Sequence, residues 1–282
     1  MNLTSPTQVR ALLDELDVRP SKGLGQNFLI DANVLRILID AAGLTSEDRV
    51  LEVGPGLGVL TEALAGQVAE LVAVEKDRRL AARLVQRFAE DETVSIVNGD
   101  MLKQRIDCLG SGRLRKVVAN LPYRPGTRIL VDLVRNLMPP DLMVLTIQRE
   151  VAERLTAEVG GKDYGLLSVW VRRLYDVELV KVVSPTCFWP APAVTSAIVR
   201  LVRHDRRLLS DETARVFYAL TKHVFSMRRK QVVTALRKVD GDLHMGESAC
   251  QAWLKGRDLP ETARPQVLDV ADWCALAAQI VP

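Results

Sequence analysis

The sequence predicts an α/β chain: an open, doubly wound sheet followed by a small helical C-terminal domain. Three observations predict it. Short apolar runs at Val50–Val53, Leu71–Val74, Val94–Val97, Val117–Ala119 and Leu142–Ile147 alternate with stretches of helical spacing, the pattern of strands joined by crossover helices. The first four runs lead, in order, to Gly54, Glu75, Asp100 and Asn120, and the carboxyl tips of such strands are the edge where an open α/β sheet binds its ligands. Beyond His204 the pattern turns helical, with Phe217, Leu220, Val224 and Phe225 on one face. The boundary is therefore expected near Asp205, giving domains of residues 1–204 and 205–282.

Taken in order, Ser5-Pro6-Thr7-Gln8 reads as a capping box with proline at the first helical position, and Val9, Leu12, Leu13 and Leu16 form one apolar stripe. Arg49-Val50-Leu51-Glu52-Val53-Gly54-Pro55-Gly56-Leu57-Gly58 is an apolar strand running into three alternate glycines. Glycine lets the backbone turn tightly and approach a ligand. The spacing is G-x-G-x-G with no following Lys-Ser or Lys-Thr, which excludes a P-loop. Glu75 closes the next strand 21 residues after Gly54, the place where ribose hydroxyls are held in nucleoside-binding sheets. The competing reading is a solvated helix-start acid.

Asn120-Leu121-Pro122-Tyr123 is the most informative tetrapeptide. A strand ending in Asn and then Pro cannot run on into a helix without a break, because proline lacks an N–H and biases its predecessor away from helical geometry. The resulting corner offers the Asn120 oxygen and backbone carbonyls as acceptors for an amine, with the Tyr123 ring as a flat stacking surface. It suits a flipped-out nucleobase amine, and for these four residues alone a tight turn with a packed tyrosine is the simpler reading. Next comes Arg124-Pro125-Gly126-Thr127, in which Pro125 and Gly126 alter the start of the following helix and Thr127 is a candidate cap. Val177–Val183 and Val194–Val202 read as a closing strand pair joined by the Pro-rich segment from Ser184 to Pro192.

With 282 residues, 48% hydrophobic and 26% charged, the chain can build one large core and a small second domain. No apolar run approaches the ~20 residues a membrane span needs. Asp14, Glu15 and Asp17 in the opening segment argue against a signal or transit peptide. Cys108, Cys187, Cys250 and Cys274 lack C-x-x-C spacing, and His204, His223 and His244 lack ligand-like spacing. Neither a zinc site nor a disulfide framework is expected, and the compartment is a reducing one, the cytoplasm.

Charge is segregated. Residues 200–240 carry eleven Lys and Arg, Arg228, Arg229 and Lys230 among them, against four acids, net +7 in a chain that is +3 overall. A basic stretch of that kind fits a phosphate backbone as partner, and a solvated helical face fits equally.

The ordered set Glu52-Val53-Gly54-Pro55-Gly56-Leu57-Gly58, Glu75, Asp100 and Asn120-Leu121-Pro122-Tyr123 resembles a class I, Rossmann-like S-adenosylmethionine-dependent methyltransferase acting on adenine N6. Gly25-Gln26-Asn27-Phe28-Leu29, the segment from Gln148 to Leu155, Tyr164-Gly165-Leu166-Leu167-Ser168 and Phe188-Trp189-Pro190-Ala191-Pro192-Ala193-Val194-Thr195-Ser196-Ala197 narrow the resemblance to the ribosomal RNA adenine dimethyltransferase family, small-subunit branch. It runs from about Gly25 to the C-terminus, including Arg228-Arg229-Lys230. Arg124-Pro125-Gly126 departs from the family, which usually has a small or polar residue and then an aliphatic one there.

The resemblance implies S-adenosylmethionine as cofactor and no metal. It assigns Asn27 and Leu29 to the methionine end and lid, Gly54 to close backbone approach, Glu75 to the ribose and Asp100 to the adenine amine, and it counts Asn120 among the cofactor-binding residues as well. Asn120 and Leu121, with Pro122 shaping the corner, would grip the target amine, and Tyr123 and Phe188 would sandwich the flipped base. The implied partner is small-subunit rRNA in a pre-ribosomal particle, docked through Arg228, Arg229 and Lys230, with the enzyme a monomer and no membrane involved. Rival readings are a large-subunit rRNA methyltransferase of the antibiotic-resistance type, a transcription factor derived from the same family, and a non-catalytic assembly factor.

Overall fold

A computed structural model of the chain describes residues 2–21, 23–206, 208–239 and 243–280. Arg207 and Asp240 of the basic stretch lie outside the described residues. The contacts divide the chain into two units: one of the residues through Ala152 plus Val177–Arg203, the other of Glu153–Asp176 plus the residues from His204 onward. The boundary expected near Asp205 is thus joined by a second crossing. Glu153–Asp176, expected in the first domain, folds with the second, because Trp170 donates from Nε1 to Thr221 Oγ1 at 2.8 Å and Tyr164 donates to the Leu268 carbonyl at 3.2 Å.

The first unit opens with helix α1 (Pro6–Glu15). Val9, Leu12 and Leu13 are buried against Phe28, Leu57 and Leu80, but the capping box is not formed. Ser5 makes no side-chain cap bond, and Gln8 Oε1 instead accepts from the Asn2 N–H at 2.7 Å. Strand β1 (Phe28–Leu29) precedes helix α2 (Ala32–Ala42), which Asp31 caps by accepting from the Val34 N–H. At its other end the Lys116 ammonium takes the Ala42 and Gly43 carbonyls and pairs with Asp48 at 2.8 Å, satisfying C-terminal carbonyls that a helix leaves open.

Then β2 (Arg49–Val53), α3 (Val59–Leu64), β3 (Glu70–Glu75), α4 (Arg78–Arg87), β4 (Val94–Asn98), β5 (Lys116–Asn120), α5 (Gly126–Val134) and β6 (Leu142–Gln148) alternate as the sequence predicts. After α6 (Arg149–Thr156) and α7 (Leu166–Arg172) come β7 (Tyr175–Val183), β8 (Phe188–Trp189) and β9 (Ser196–Arg203). The closing strands therefore start two residues away from their expected N-terminal ends. The sheet order is β4-β3-β2-β5-β6-β9-β7, with β2 through β6 parallel and β9 antiparallel to β6. Chain order runs outward from β2 through β3 to β4 and, on the other side, from β5 to β6. The switch point lies between β2 and β5, where such folds open a binding crevice.

Thr127 is not a cap. Helix α5 begins one residue earlier, behind Pro125, with the Gly126 N–H bonded to the Pro122 carbonyl at 2.8 Å. The short β8 pairs antiparallel with β1, Phe28 opposite Trp189 and Leu29 opposite Phe188, a pairing too short to show as a periodic run in sequence.

The second unit is helical: α7 with α8 (Asp211–Ser226), α9 (Val232–Arg237), α10 (Glu247–Lys255) and α11 (Val270–Ile280). Ser210 caps α8 through the Thr213 N–H. Phe217, Leu220 and Val224 are buried, and the half-buried Phe225 ring lies 5.5 Å from that of Trp273.

Candidate active site

A cavity of about 350 Å³ opens at the carboxyl edge of the first unit's sheet, with Gly54, Glu75, Asp100 and Asn120 all in its wall. Four strand tips thus converge on it. Asn27, Leu29, Leu121, Pro122 and Tyr123 line it as well.

The turn after β2 holds Gly54 at φ +69°, a left-handed conformation that favours glycine, with its N–H on the Val74 carbonyl at 3.0 Å. Glu75 is only 5% exposed. Its carboxylate accepts the Gly56 N–H at 2.9 Å and the Asp77 N–H at 2.7 Å. Burial pushes its pKa up and these two bonds pull it down. Because Asp77 caps α4 itself, the solvated helix-start reading belongs to Asp77, and Glu75 is the fixed acid in the cavity wall.

Asp100 follows β4, its Oδ1 taking the Leu102 N–H at 3.1 Å and its Oδ2 the Lys76 ammonium at 2.9 Å. The Lys76 bond holds its carboxyl below the usual range.

Asn120 ends β5. Its amide nitrogen donates to the Asn27 carbonyl at 3.0 Å, which fixes the side-chain orientation, since the opposite flip would set two oxygens face to face. Asn120 Oδ1 is then left buried with no hydrogen-bond partner. A buried acceptor without a donor is costly unless a ligand supplies one. The Leu121 N–H is used on the Thr146 carbonyl, and the loop carrying Asn27 is pressed onto the corner: a Cβ on Gly25 would come within 3.0 Å of the Tyr123 and Arg124 nitrogens. Tyr123 is partly buried, its hydroxyl bonded to that of Ser196.

Three features carry no clear signal in sequence. Glu52, in the cavity wall behind Gly54, is 2% exposed, and burial pushes its pKa up to about 8, the Glu75 carboxylate adding to the rise and the Thr61 hydroxyl opposing it. The Lys76–Asp100 pair joins two strand tips that are 24 residues apart in sequence. Ser196 lies within the quoted Phe188–Ala197 motif but reads there as one more small residue.

One expectation is corrected. Phe188 is 2% exposed and sits in the core with Leu29, Val34, Leu38 and Ile198, so its ring is not in the cavity wall to face Tyr123. Its strand pairing with Leu29 draws it under the sheet's covering helix. The basic trio also divides. Arg228 is half-buried, its guanidinium donating to the carbonyls of Lys162 at 2.5 Å and Tyr164 at 2.8 Å, while Arg229 and Lys230 are exposed. Among the described residues no cluster of His, Cys, Asp or Glu could hold a metal ion. No helix among them is long and apolar enough to cross a membrane.

A doubly wound sheet with an acid at the β3 tip and an Asn-Leu-Pro-Tyr corner beside its switch point defines a Rossmann-like methyltransferase. The chain belongs to the ribosomal RNA adenine dimethylase family, whose model matches residues 19–273. It is similar to ribosomal RNA small subunit methyltransferase A of Alkaliphilus metalliredigens, 34% identical over 99% of this chain and 98% of the relative. A dimethyladenosine transferase from Plasmodium falciparum shares the fold, with TM-score 0.76 and 24% identity over 89% of this chain and 96% of that one. The 23S rRNA methyltransferase ErmE gives TM-score 0.68 and 26% identity over 91% of this chain and 100% of that one.

Proposed function

We propose that the chain transfers methyl groups from S-adenosylmethionine to N6 of adenosines in small-subunit rRNA, two per base, on two adjacent adenosines near the 3′ end. The observation that carries the chemistry is the orphaned Asn120 Oδ1 in the cavity wall. The similarity over nearly the whole chain to a ribosomal RNA small subunit methyltransferase favours the small subunit. The intact corner favours an enzyme over a non-catalytic assembly factor.

The residues fit the cofactor. Glu75, buried and fixed by two backbone N–H groups, keeps lone pairs for ribose hydroxyls. Asp100 would take an adenine amine, and Asn27, Leu29 and Gly54, which line the same cavity, would border the methionine end. Bound there, S-adenosylmethionine supplies an electrophilic methyl on a sulfonium.

The target N6 is a poor nucleophile because its lone pair is delocalised into the ring. Asn120 Oδ1 and the Leu121 carbonyl accept its two hydrogens and favour a pyramidal nitrogen with the lone pair free to attack. Once alkylated the nitrogen is strongly acidic, so water can take its proton and no strong base is needed. Tyr123 stacks on the flipped base. The partner is the pre-ribosomal particle, the enzyme acts as a monomer, and its compartment is the cytoplasm, in keeping with free thiols at all four cysteines.

Asn120→Ala tests the reading. Single-turnover methylation of a small-subunit particle should slow by roughly 100-fold, as for loss of one preorganised polar contact to a reacting group, with cofactor affinity near that of the parent. A parent-like rate would remove Asn120 from the chemistry.

A further inference from the structure

Ser196 is 0% exposed at the first position of β9. The register explains why a polar residue stands there. Asn120 of β5 is opposite Thr146 of β6, Thr146 is opposite Ile198 of β9, and Ser196 lies two residues before Ile198. Paired residues and residues two apart share a face, so Asn120, Thr146 and Ser196 form one polar strip across three strands at the sheet's carboxyl edge. Tyr123 leaves the tip of β5 and returns its hydroxyl to the far end of that strip, onto Ser196 Oγ. The Ser196 backbone is held in turn, opposite Gln148 in the ladder and preceded by Thr195, whose carbonyl takes the Arg149 N–H at 2.9 Å.

We propose that Ser196 is a positioning residue for the methyl transfer: it tethers the Tyr123 hydroxyl and so fixes the ring that receives the flipped base. Resting on the functional reading above, this gives the Phe188–Ala197 motif a role at the site after the Phe188 ring itself turned into the core. A tyrosine anchored only at its Cα sweeps several rotamers, and each must be given up when a base stacks on it. A ring pinned at both ends has already lost that freedom. The phenol therefore matters even though its π-face alone does the stacking. Phenylalanine keeps that face and loses the tether.

The experiment uses Tyr123→Phe, Ser196→Ala and the double variant in the full chain. Each single change should slow single-turnover methylation at saturating particle by roughly three- to tenfold, the cost of releasing one side chain. The double variant should be no slower than the slower single one, because both remove the same contact. Cofactor affinity by titration calorimetry should match the parent, which a general loss of structure would not allow. In protein labelled with 3-fluorotyrosine, the ¹⁹F line of Tyr123, assigned by Tyr123→Phe, should narrow in Ser196→Ala as the ring gains motion. An unchanged line in folded Ser196→Ala overturns the tether whatever the activity, as do parent rates in both singles or additive losses in the double. A parent chain that leaves the particle unmethylated would sink the functional reading, and the ¹⁹F line would still decide the tether.

Discussion

Two carboxyls in the cavity wall illustrate how burial assigns roles. Glu75 is tied by the Gly56 and Asp77 N–H groups, so its removal should mainly cost binding. Glu75→Ala is expected to weaken S-adenosylmethionine by about 1 to 3 kcal/mol, the loss of charge-assisted bonds to the ribose. Titration calorimetry checks it, and a folded variant with parent affinity would take Glu75 out of the site. Glu52 behaves differently. Its pKa is about 8 in the folded chain against an ordinary 4.5, so between those values the folded state holds a proton that the unfolded state has lost. Stability from this group therefore declines as pH rises from 4.5 through 8 and levels off above, by about 1.4 kcal/mol per pH unit at most. Glu52→Gln has no proton to lose. Its unfolding free energy relative to the parent should rise across that window, and urea titrations at pH 6 and pH 9 that show no such divergence would place Glu52 in contact with water.

At the scale of elements, the strand tips were legible because a short apolar run followed by a ligand-type side chain is a local signal. Gly54, Glu75, Asp100 and Asn120 all line the cavity. What was not legible depends on which partner a side chain finds in the fold. Phe188 reads as an aromatic at a loop and lies in the core because β8 pairs with β1. The Ser5 box fails because Gln8 finds the Asn2 N–H. The basic stretch is overcounted by composition: Arg203 pairs with Asp141, Arg206 with Asp176 and Arg237 with Glu247, and Arg228 secures the loop from Gly161 to Tyr164. Arg215, Lys222, Arg229, Lys230 and Lys238 remain exposed. If this face docks on RNA, reversing Arg229 and Lys230 to Glu should weaken particle binding and flatten its log–log salt dependence by roughly 1.4 to 1.8, at about 0.7 to 0.9 per lost phosphate contact, with the melting temperature kept. Filter binding over a salt series decides it; a parent slope and affinity would leave these side chains a solvated face. Arg228→Ala should instead lower the melting temperature, since three carbonyls lose their donor.

At the scale of the whole molecule, the seven-stranded sheet brings Gly54 and Glu75 on one side of its switch point, and Asn120 on the other, to one cavity. One crossing between the two units, from Arg203 to His204, falls where the periodicity of the sequence changes. The assignment of Glu153–Asp176 to the helical unit was not legible there, because that segment is held by Thr221 and Leu268, more than fifty residues away in sequence for each bond. The whole reading turns on which nucleotides receive methyl groups. Purified chain should be incubated with S-adenosylmethionine and small-subunit particles from a strain lacking its own enzyme, and the rRNA then mapped by mass spectrometry. N6,N6-dimethyladenosine at two adjacent positions near the 3′ end of small-subunit rRNA, abolished by Asn120→Ala, is the predicted result. No methylation there, or dimethyladenosine formed in large-subunit rRNA instead, would contradict it.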